Sequence, residues 1–265
     1  MNSKQLEGKT AVVTGAGGDI GMGICSVLAK EGASVVGVDI DEKAVQRAME
    51  MVAKSTGGKV LAIKMDVTSN ESINSAIKQI NDKLGGTDVL VNNAGVITLS
   101  PLLDIPDRDW DFVMNVNAKG VFLCTKLFVK DMIRRKVGGI IVNISSAASK
   151  VPFPNEAHYN ASKAAVNAIT KASARELAPY NIRVNAICPG GVDAKMLKDV
   201  ANYAAKNAKT SPNEIIKSVL STISIGRLVK PEEIGQLVAF LSSDNSAAIT
   251  GQLINIDGGD VAINS

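Results

Sequence analysis

Apolar residues along this chain fall into two alternating patterns. Short runs rich in Val and Ile are apolar almost throughout, which is typical of strands in a parallel sheet covered on both faces. Between them lie longer stretches in which apolar positions recur with helical spacing. The patterns predict strands over 10–14, 34–39, 59–66, 88–95, 138–146, 182–190 and 252–259, and helices over 20–32, 41–55, 69–85, about 107–136 and 158–179.

The strict alternation of these elements predicts a single α/β domain over residues 1–265. Strands joined through helices by right-handed crossovers form a doubly wound parallel sheet of the Rossmann type, with about seven strands here and helices on both faces. The chain shows no internal repeat, linker or low-complexity tract. Its least regular stretch, residues 191–224, mixes short helical pieces with a break at Ser211 and Pro212.

Composition argues against one class of partner. Hydrophobic residues make up 46% and charged residues 21%, which is the balance of a soluble globular protein, and the formal net charge is only +3. Aromatic residues make up 3%, so few side chains could stack on single-stranded nucleic acid. We therefore expect no nucleic-acid partner.

No export, membrane or metal-binding signal stands out in the sequence. The first residues lead into the strand at 10–14 without an apolar signal region, and no apolar run approaches the length of a bilayer span. Cys25, Cys124 and Cys188 are few and widely spaced, which favours buried thiols over a disulfide framework or a zinc site. The sequence predicts a cytoplasmic protein with no membrane partner and no metal.

A glycine-rich turn, TGAGGDIGMG at 14–23, joins the first predicted strand to the first predicted helix. Glycine lets the backbone bend tightly and approach a pyrophosphate, whose charge then faces a helix N-terminus. The strict G-x-G-x-x-G spacing is not present, because Gly15, Gly17, Gly18 and Gly21 fall differently. On spacing alone, a glycine turn without a ligand is an alternative interpretation.

Asp39 favours the dinucleotide interpretation of this turn. It ends the second predicted strand, about 20 residues past the glycines, where a carboxylate can bind the adenosine ribose hydroxyls. The same charge would repel a 2′-phosphate, and Ile40, Asp41 and Glu42 supply no arginine to offset it. The sequence therefore favours NAD over NADP.

Further short motifs follow in order along the chain. They are DV (66–67), NNAG (92–95), NAKGVF (117–122), SS (145–146), YNASK (159–163) and PG (189–190). Together with TGAGGDIG at 14–21, they make the chain resemble the short-chain dehydrogenase/reductase family essentially from end to end. The resemblance implies an oxidoreductase that transfers hydride between a nicotinamide cofactor and a secondary alcohol or ketone.

The resemblance also assigns roles to single residues. Ser146 matches the serine that holds the substrate oxygen, Tyr159 the general acid/base, and Lys163 its partner on the cofactor ribose. Asn117 matches the asparagine that bends the long helix and holds a water in the proton relay. The cofactor contacts that it implies are Gly15, Gly18, Asp19 and Ile20 in the glycine turn, Asp66 and Val67 at the adenine, Asn93, Ala94 and Gly95 beside the ribose, and Pro189, Gly190 and Val192 under the nicotinamide.

Two positions depart from the family pattern. Asp19 stands where the turn usually has another glycine. Its carboxylate can cap the first helix by accepting a backbone N–H, but it also brings a charge near the pyrophosphate. Ala194 stands where many relatives have a threonine that touches the nicotinamide carboxamide, so we expect one cofactor contact to be missing.

The spacing of Tyr159 and Lys163 has a chemical rationale. Positions i and i+4 share a helix face, and a lysine cation stabilises a phenolate. The pairing is therefore expected to lower the tyrosine pKa from its ordinary value of about 10 toward the working pH. Adjacent helical residues diverge by about 100°, so His158 is interpreted as a structural residue or a subunit contact.

The substrate is less closely specified by the sequence. Residues 191–224 resemble the family's mobile lids and are longer than in its acyl-carrier-protein reductases, which favours a small polyol, sugar alcohol or acyloin as substrate. The run 151–159 is expected at the pocket mouth, where Asn155 is predicted to bind a hydroxylated substrate and Glu156 is a second candidate. Tyr159 and Ser146 would hold the reacting group.

Three alternatives stay open. A 3-oxoacyl-thioester (acyl-carrier-protein) reductase would prefer NADPH and use a basic patch, for which Lys195, Lys198, Lys206 and Lys209 are candidates. A hydroxysteroid dehydrogenase would share the catalytic set. A non-catalytic NAD(H) sensor would keep the fold but would have little use for that set.

The resemblance also implies an assembly and a division of the domain. It predicts a homotetramer or homodimer, with contacts on the helices at about 107–136 and 158–179 and at the C-terminal residues 256–265. It divides the domain into a cofactor-binding half at about 1–150, a catalytic helix and lid at about 151–225, and a C-terminal helix and strand at 226–265.

Overall fold

The computed structural model describes residues 4–260. Within them, seven parallel strands form one sheet in the order β3-β2-β1-β4-β5-β6-β7. The strands are β1 Thr10–Thr14, β2 Ser34–Asp39, β3 Val60–Lys64, β4 Val89–Asn92, β5 Gly139–Ile144, β6 Ile182–Pro189 and β7 Leu253–Ile256. The strand order reverses between β1 and β4, which opens a crevice at the carboxyl ends of the strands. The predicted doubly wound fold is confirmed.

Helices cover both faces of this sheet and create two separate hydrophobic cores. Over the described residues they are α1 Asp19–Lys30, α2 Glu42–Thr56, α3 Asn70–Leu84, α4 Asp107–Met114, α5 Gly120–Arg135, α6 Ala157–Leu177, α7 Lys195–Ala208, α8 Pro212–Thr222 and α9 Pro231–Ser242. One core lies under α1, α2 and α9, and the other under α3, α5 and α6. Both faces are therefore apolar, which explains the nearly unbroken apolar runs of the central strands.

The helix predicted over 107–136 consists of α4 and α5 in line, joined by the π-helical segment Asn115–Lys119. By length and composition alone, the whole stretch Asp107–Arg135 could span a membrane, which the sequence pattern did not lead us to expect. In the structure, 56% of its most apolar window is buried, and α5 packs on α3 and β4. It is placed as a core helix of a globular domain.

Residues 191–224 form α7 and α8 over one end of the sheet. The predicted break at Ser211 is the start of α8, where the Ser211 hydroxyl accepts the N–H of Glu214 and the Glu214 carboxylate accepts the N–H of Ser211, both at 3.3 Å. This reciprocal capping box explains why the helix begins there. Residues 261–265, part of the predicted C-terminal contact, lie outside the described residues, as do residues 1–3.

Candidate active site

The glycine turn after β1 closes tightly on the turn after β4. A Cβ atom at Gly21 would lie 2.2 Å from the carbonyl oxygen of Gly15, and one at Gly15 would lie 2.8 Å from the Cα of Ala94. Thr14 holds the two turns together, because its hydroxyl accepts the N–H groups of Asn93 and Ala94, both at 2.9 Å. Thr14 opens the TGAGGDIG motif, but the motif spacing does not indicate that its hydroxyl links the two turns.

The N-terminus of α1 is open to a ligand. A Cβ atom at Gly18 would meet nothing closer than 3.7 Å, so a phosphate could approach the backbone there. This end of α1 forms one wall of a cleft of about 550 Å³. The cleft brings together ten of the predicted cofactor residues: Gly15, Gly18, Asp19, Ile20, Asp39, Asp66, Val67, Asn93, Ala94 and Gly95. An open helix N-terminus and an acidic residue at the end of β2, in the same cleft, fit a dinucleotide.

Asp39 braces the glycine turn from the end of β2. One of its carboxylate oxygens accepts the N–H of Gly17 and the other accepts the N–H of Asp41, each at 3.0 Å. A carboxylate oxygen has two lone pairs, so each can accept one further hydrogen bond. Asp39 is therefore both a structural residue and an acceptor that can receive the two hydroxyls of a ribose.

Asp19 does not cap α1, contrary to the expectation from its position. The N-cap of α1 is Gly18, and no side chain caps that end. The carboxylate of Asp19 instead accepts the N–H of Lys195, the first residue of α7, at 2.7 Å. The Asp19 side chain thus caps α7 and links this helix to the glycine turn, although the two bonded residues lie 176 positions apart in the sequence.

The tyrosine and lysine of YNASK lie on the first turns of α6, facing the end of β5. Both are buried, and the Lys163 ammonium lies 5.7 Å from the centre of the Tyr159 ring. Lys163 donates a hydrogen bond to the carbonyl oxygen of Ile144 at 2.9 Å, which fixes it at the carboxyl end of the sheet. Ser146, two residues beyond that carbonyl, lines the same cavity as Tyr159 and Lys163. The structure therefore brings Ser146, Tyr159 and Lys163 together.

The acidities of this group differ from the sequence expectation. Burial raises the pKa of Tyr159 to about 12, against the opposing hydrogen bond from Ser146, and the nearby charge of Glu156 adds to the rise. Burial lowers the pKa of Lys163 to about 8. Desolvation therefore outweighs the phenolate stabilisation expected from the lysine.

Asn117 is fully buried in the π-helical segment between α4 and α5. Its side-chain oxygen accepts the N–H of Val96 at 2.8 Å, and its side-chain nitrogen donates to the Val96 carbonyl at 2.9 Å and to the Ser162 hydroxyl at 3.0 Å. The π-helical turn thus allows the side-chain amide of Asn117 to link the loop that follows β4 to helix α6. A Cβ atom at Gly95 would lie 3.5 Å from the Asn117 oxygen and 3.3 Å from the Lys163 nitrogen.

A second cavity, of about 510 Å³, adjoins the cofactor cleft and contains the tyrosine. The two share Ile20, Asn93, Gly95, Ile97, Ala194 and Met196 in their walls, so they are continuous. The cavity is lined by Ser146, Tyr159, Lys163, Pro189, Gly190 and Val192, and α7 and α8 cover it with Met196, Leu197, Val200, Ser218, Val219 and Thr222. The stretch 191–224 is therefore positioned as a lid.

Asn155, the predicted substrate contact, does not line this cavity. It is exposed and has a left-handed backbone with φ +64°. Its neighbour Glu156 lines the cavity instead. Of the two candidates at the pocket mouth, Glu156 and not Asn155 therefore contacts the cavity.

His158 is fully buried and lies outside both cavities as their walls are described. Its Nε2 lies 2.5 Å from the Thr98 hydroxyl oxygen. Because a single chain buries the ring completely, the structure favours the structural interpretation of His158 over a subunit contact.

Comparison with known proteins agrees with this geometry. A family model described as enoyl-(acyl carrier protein) reductase matches residues 15–260. The 3-oxoacyl-(acyl-carrier-protein) reductase of Thermotoga maritima is 40% identical over 96% of this chain and 98% of its own length. A structure of NAD+-bound xylitol dehydrogenase superimposes with a TM-score of 0.92 at 34% identity, covering 97% of this chain and all of the other.

A structure of an actinorhodin polyketide ketoreductase variant with NADPH gives the same TM-score of 0.92 and 34% identity, over 96% of this chain and 97% of the other. Similar proteins thus bind either nicotinamide dinucleotide. The continuous cleft and cavity, the ordered motifs and these end-to-end matches lead to one conclusion: the chain belongs to the short-chain dehydrogenase/reductase family and is an oxidoreductase of alcohol and ketone groups.

Proposed function

We propose that this chain is an NAD-dependent dehydrogenase of small secondary alcohols that carry further oxygen groups, namely polyols, sugar alcohols or acyloins. The observation that carries the proposal is the meeting of Ser146, Tyr159 and Lys163 in a cavity continuous with a dinucleotide cleft. A bound nicotinamide would supply the hydride acceptor beside this cavity.

The reaction at these residues balances without a metal. Ser146 holds the substrate hydroxyl by a hydrogen bond, and Tyr159 receives its proton as the phenolate. A bound oxidised nicotinamide would accept hydride from the carbinol carbon, and the alcohol would become a carbonyl group. Lys163, with its ammonium beside the tyrosine ring, would stabilise the phenolate together with the positive charge of a bound oxidised nicotinamide, and would bind the cofactor ribose. In the reverse direction, Tyr159 returns the proton to the new alkoxide.

The position of Asp39 supports NAD as the cofactor. Its carboxylate lines the cleft, retains a free lone pair on each oxygen, and would face a 2′-phosphate with like charge. The next side chain, Ile40, is exposed and cannot offset that charge.

An acyl-carrier-protein reductase is the second candidate, because a relative with that name is 40% identical. Two of the four candidate lysines give it little support, because each lies near an acidic residue. Lys195 pairs with Asp199 at 2.6 Å, and Lys198 lies 3.9 Å from Asp193. The lid therefore presents mixed charges rather than a basic patch for an acidic carrier.

The test follows nicotinamide absorbance with NAD or NADP over a panel of polyols, acyloins, hydroxysteroids and 3-hydroxyacyl thioesters. Turnover with NAD and a polyol or acyloin supports the proposal, whereas turnover confined to NADP and thioesters overturns it. The variant Asp39→Asn, which keeps an acceptor for the Gly17 N–H and loses the charge, should narrow the preference for NAD by about 10-fold.

We also propose that the chain acts as a homotetramer or homodimer. Trp110, Phe112 and Phe122 on α4 and α5 are each between 41% and 49% exposed, which fits an interface between copies. Sedimentation at micromolar concentration should show the oligomer, and a monomer there would contradict the assignment.

A further inference from the structure

Glu156 places an acidic group in the wall of the substrate cavity. It immediately precedes α6, and its backbone carbonyl accepts the N–H of Asn160 at 2.8 Å, which fixes the chain three residues before Tyr159. Its half-buried side chain lines the cavity together with Ser146 and Tyr159. The carboxyl group and the tyrosine are close enough for the charge of one to raise the pKa of the other.

Within residues 4–260, the carboxyl group of Glu156 accepts no hydrogen bond, and burial is what acts on it, raising its pKa to about 7. The contrast with neighbouring acids is clear. The other acidic residues that line the cavity or the cleft are all partnered: Asp19, Asp39, Asp66, Asp199 and Asp260.

The surroundings of Glu156 make a missing partner costly. Much of the cavity wall is apolar, with Ile97, Val151, Leu197 and Val200 among its side chains. A carboxylate in such a place loses free energy when its solvent is displaced and no donor replaces it. A substrate that brings a hydrogen-bond donor to this carboxyl group, inside the cavity where Tyr159 acts, therefore binds better than one that brings none.

We infer that Glu156 selects substrates with a second hydroxyl on the carbon next to the reacting one, by accepting a hydrogen bond from that hydroxyl. The substrate class is a vicinal diol, or the acyloin formed from it when the reaction runs as a reduction. This inference rests on the proposed function and names the substrate feature that distinguishes its cavity. Glu156 is thereby a specificity-determining residue, while proton transfer stays with Tyr159.

Matched substrates that differ by one hydroxyl test the inference. The measurement is kcat/KM with NAD for 2,3-butanediol against 2-butanol, and for 1,2-cyclohexanediol against cyclohexanol. The wild-type chain should prefer each diol. Glu156→Leu removes the acceptor and should reduce that preference by about 10- to 100-fold, because kcat/KM for the diol should fall, mainly through KM, by far more than any change in kcat/KM for the mono-alcohol. Glu156→Gln keeps one acceptor oxygen and should fall between the two.

The possible results separate the two proposals. A diol preference that survives in Glu156→Leu overturns the role of Glu156 and leaves the proposed function standing. Wild-type turnover confined to mono-alcohols or thioesters overturns both. A higher kcat/KM for 1-amino-2-propanol than for 1,2-propanediol would assign the carboxylate to a cationic substrate and overturn the diol inference alone.

Discussion

The cofactor cleft and the substrate cavity share a wall but are built differently. The cleft is shaped by backbone, since glycines pack without room for a Cβ atom and Thr14 and Asp39 hold the turns through main-chain N–H groups. The cavity is shaped by side chains from α6, the loop before it and two lid helices. Backbone geometry accepts few sequences, whereas a side-chain wall can change residue by residue. We therefore expect the cofactor half to tolerate fewer substitutions than the substrate half.

The largest effect is expected at the point where the two regions meet. Tyr159→Phe removes the proton acceptor and should lower kcat by about 10²- to 10⁴-fold, because general acid–base catalysis is lost. NADH binding, measured by fluorescence titration, should stay within about twofold of wild type, since the cleft is unchanged. Near-normal turnover would show that the tyrosine is not the acid/base.

Backbone control of the cleft is tested by two glycines. Gly21→Ala would place a Cβ atom 2.2 Å from a carbonyl oxygen, so we expect the melting temperature to fall by about 5–10 °C. Gly18→Ala has open space and φ −91°, so its melting temperature should change by less than about 2 °C while its NADH affinity weakens. Equal melting temperatures for the two variants would contradict a cleft built by backbone packing.

A pH series tests the side-chain character of the cavity. The folded-state pKa of Glu156 is raised from 4.5 to about 7, so its contribution to stability is present below about pH 4.5 and is lost as the pH rises through 7. The Glu156→Gln variant has no titrating group at this position, so its stability does not fall in this way as the pH rises. Relative to wild type, the variant should gain about 2–4 °C in melting temperature between about pH 5 and pH 8. A constant difference across that range would mean that the carboxyl group is not desolvated.

The smallest effect concerns the tie between the two regions. Asp19→Ala removes the acceptor of the Lys195 N–H, and amide exchange at the start of α7 should accelerate about fivefold, as expected for a lost helix cap. Asp199→Ala is the matched control, because it removes the exposed ion pair of the Lys195 ammonium and should change that exchange little. Equal acceleration of amide exchange in both variants would show that Asp19 does not cap α7.

Local spacing was enough to predict the sheet, the glycine turn and the pairing of Tyr159 with Lys163. The i, i+4 rule and the end of β2 place such residues without knowledge of distant contacts. The resemblance implied only a bend of the long helix at Asn117. The π-helical form of that bend was not predicted, because apolar periodicity over 107–136 is that of one continuous helix.

Other features depend on contacts that spacing does not carry. Asn155 adopts a left-handed backbone and is exposed, whereas Glu156 faces the cavity, and the sequence alone could not decide between these two candidates. The partner of Asp19 lies 176 residues away in the chain. The pKa of Tyr159 depends on how completely the ring is buried, and a sequence pattern does not report burial of that degree.

The bond from the Lys195 N–H to Asp19 has a consequence for how the lid can be exchanged. Its donor belongs to the peptide backbone, so any residue except proline at position 195 keeps it. What the lid recognises is thereby separated from how it is attached. A helix of another sequence in place of α7 would keep the bond from its first N–H to Asp19. The side chains that face the substrate could therefore be exchanged without loss of this attachment.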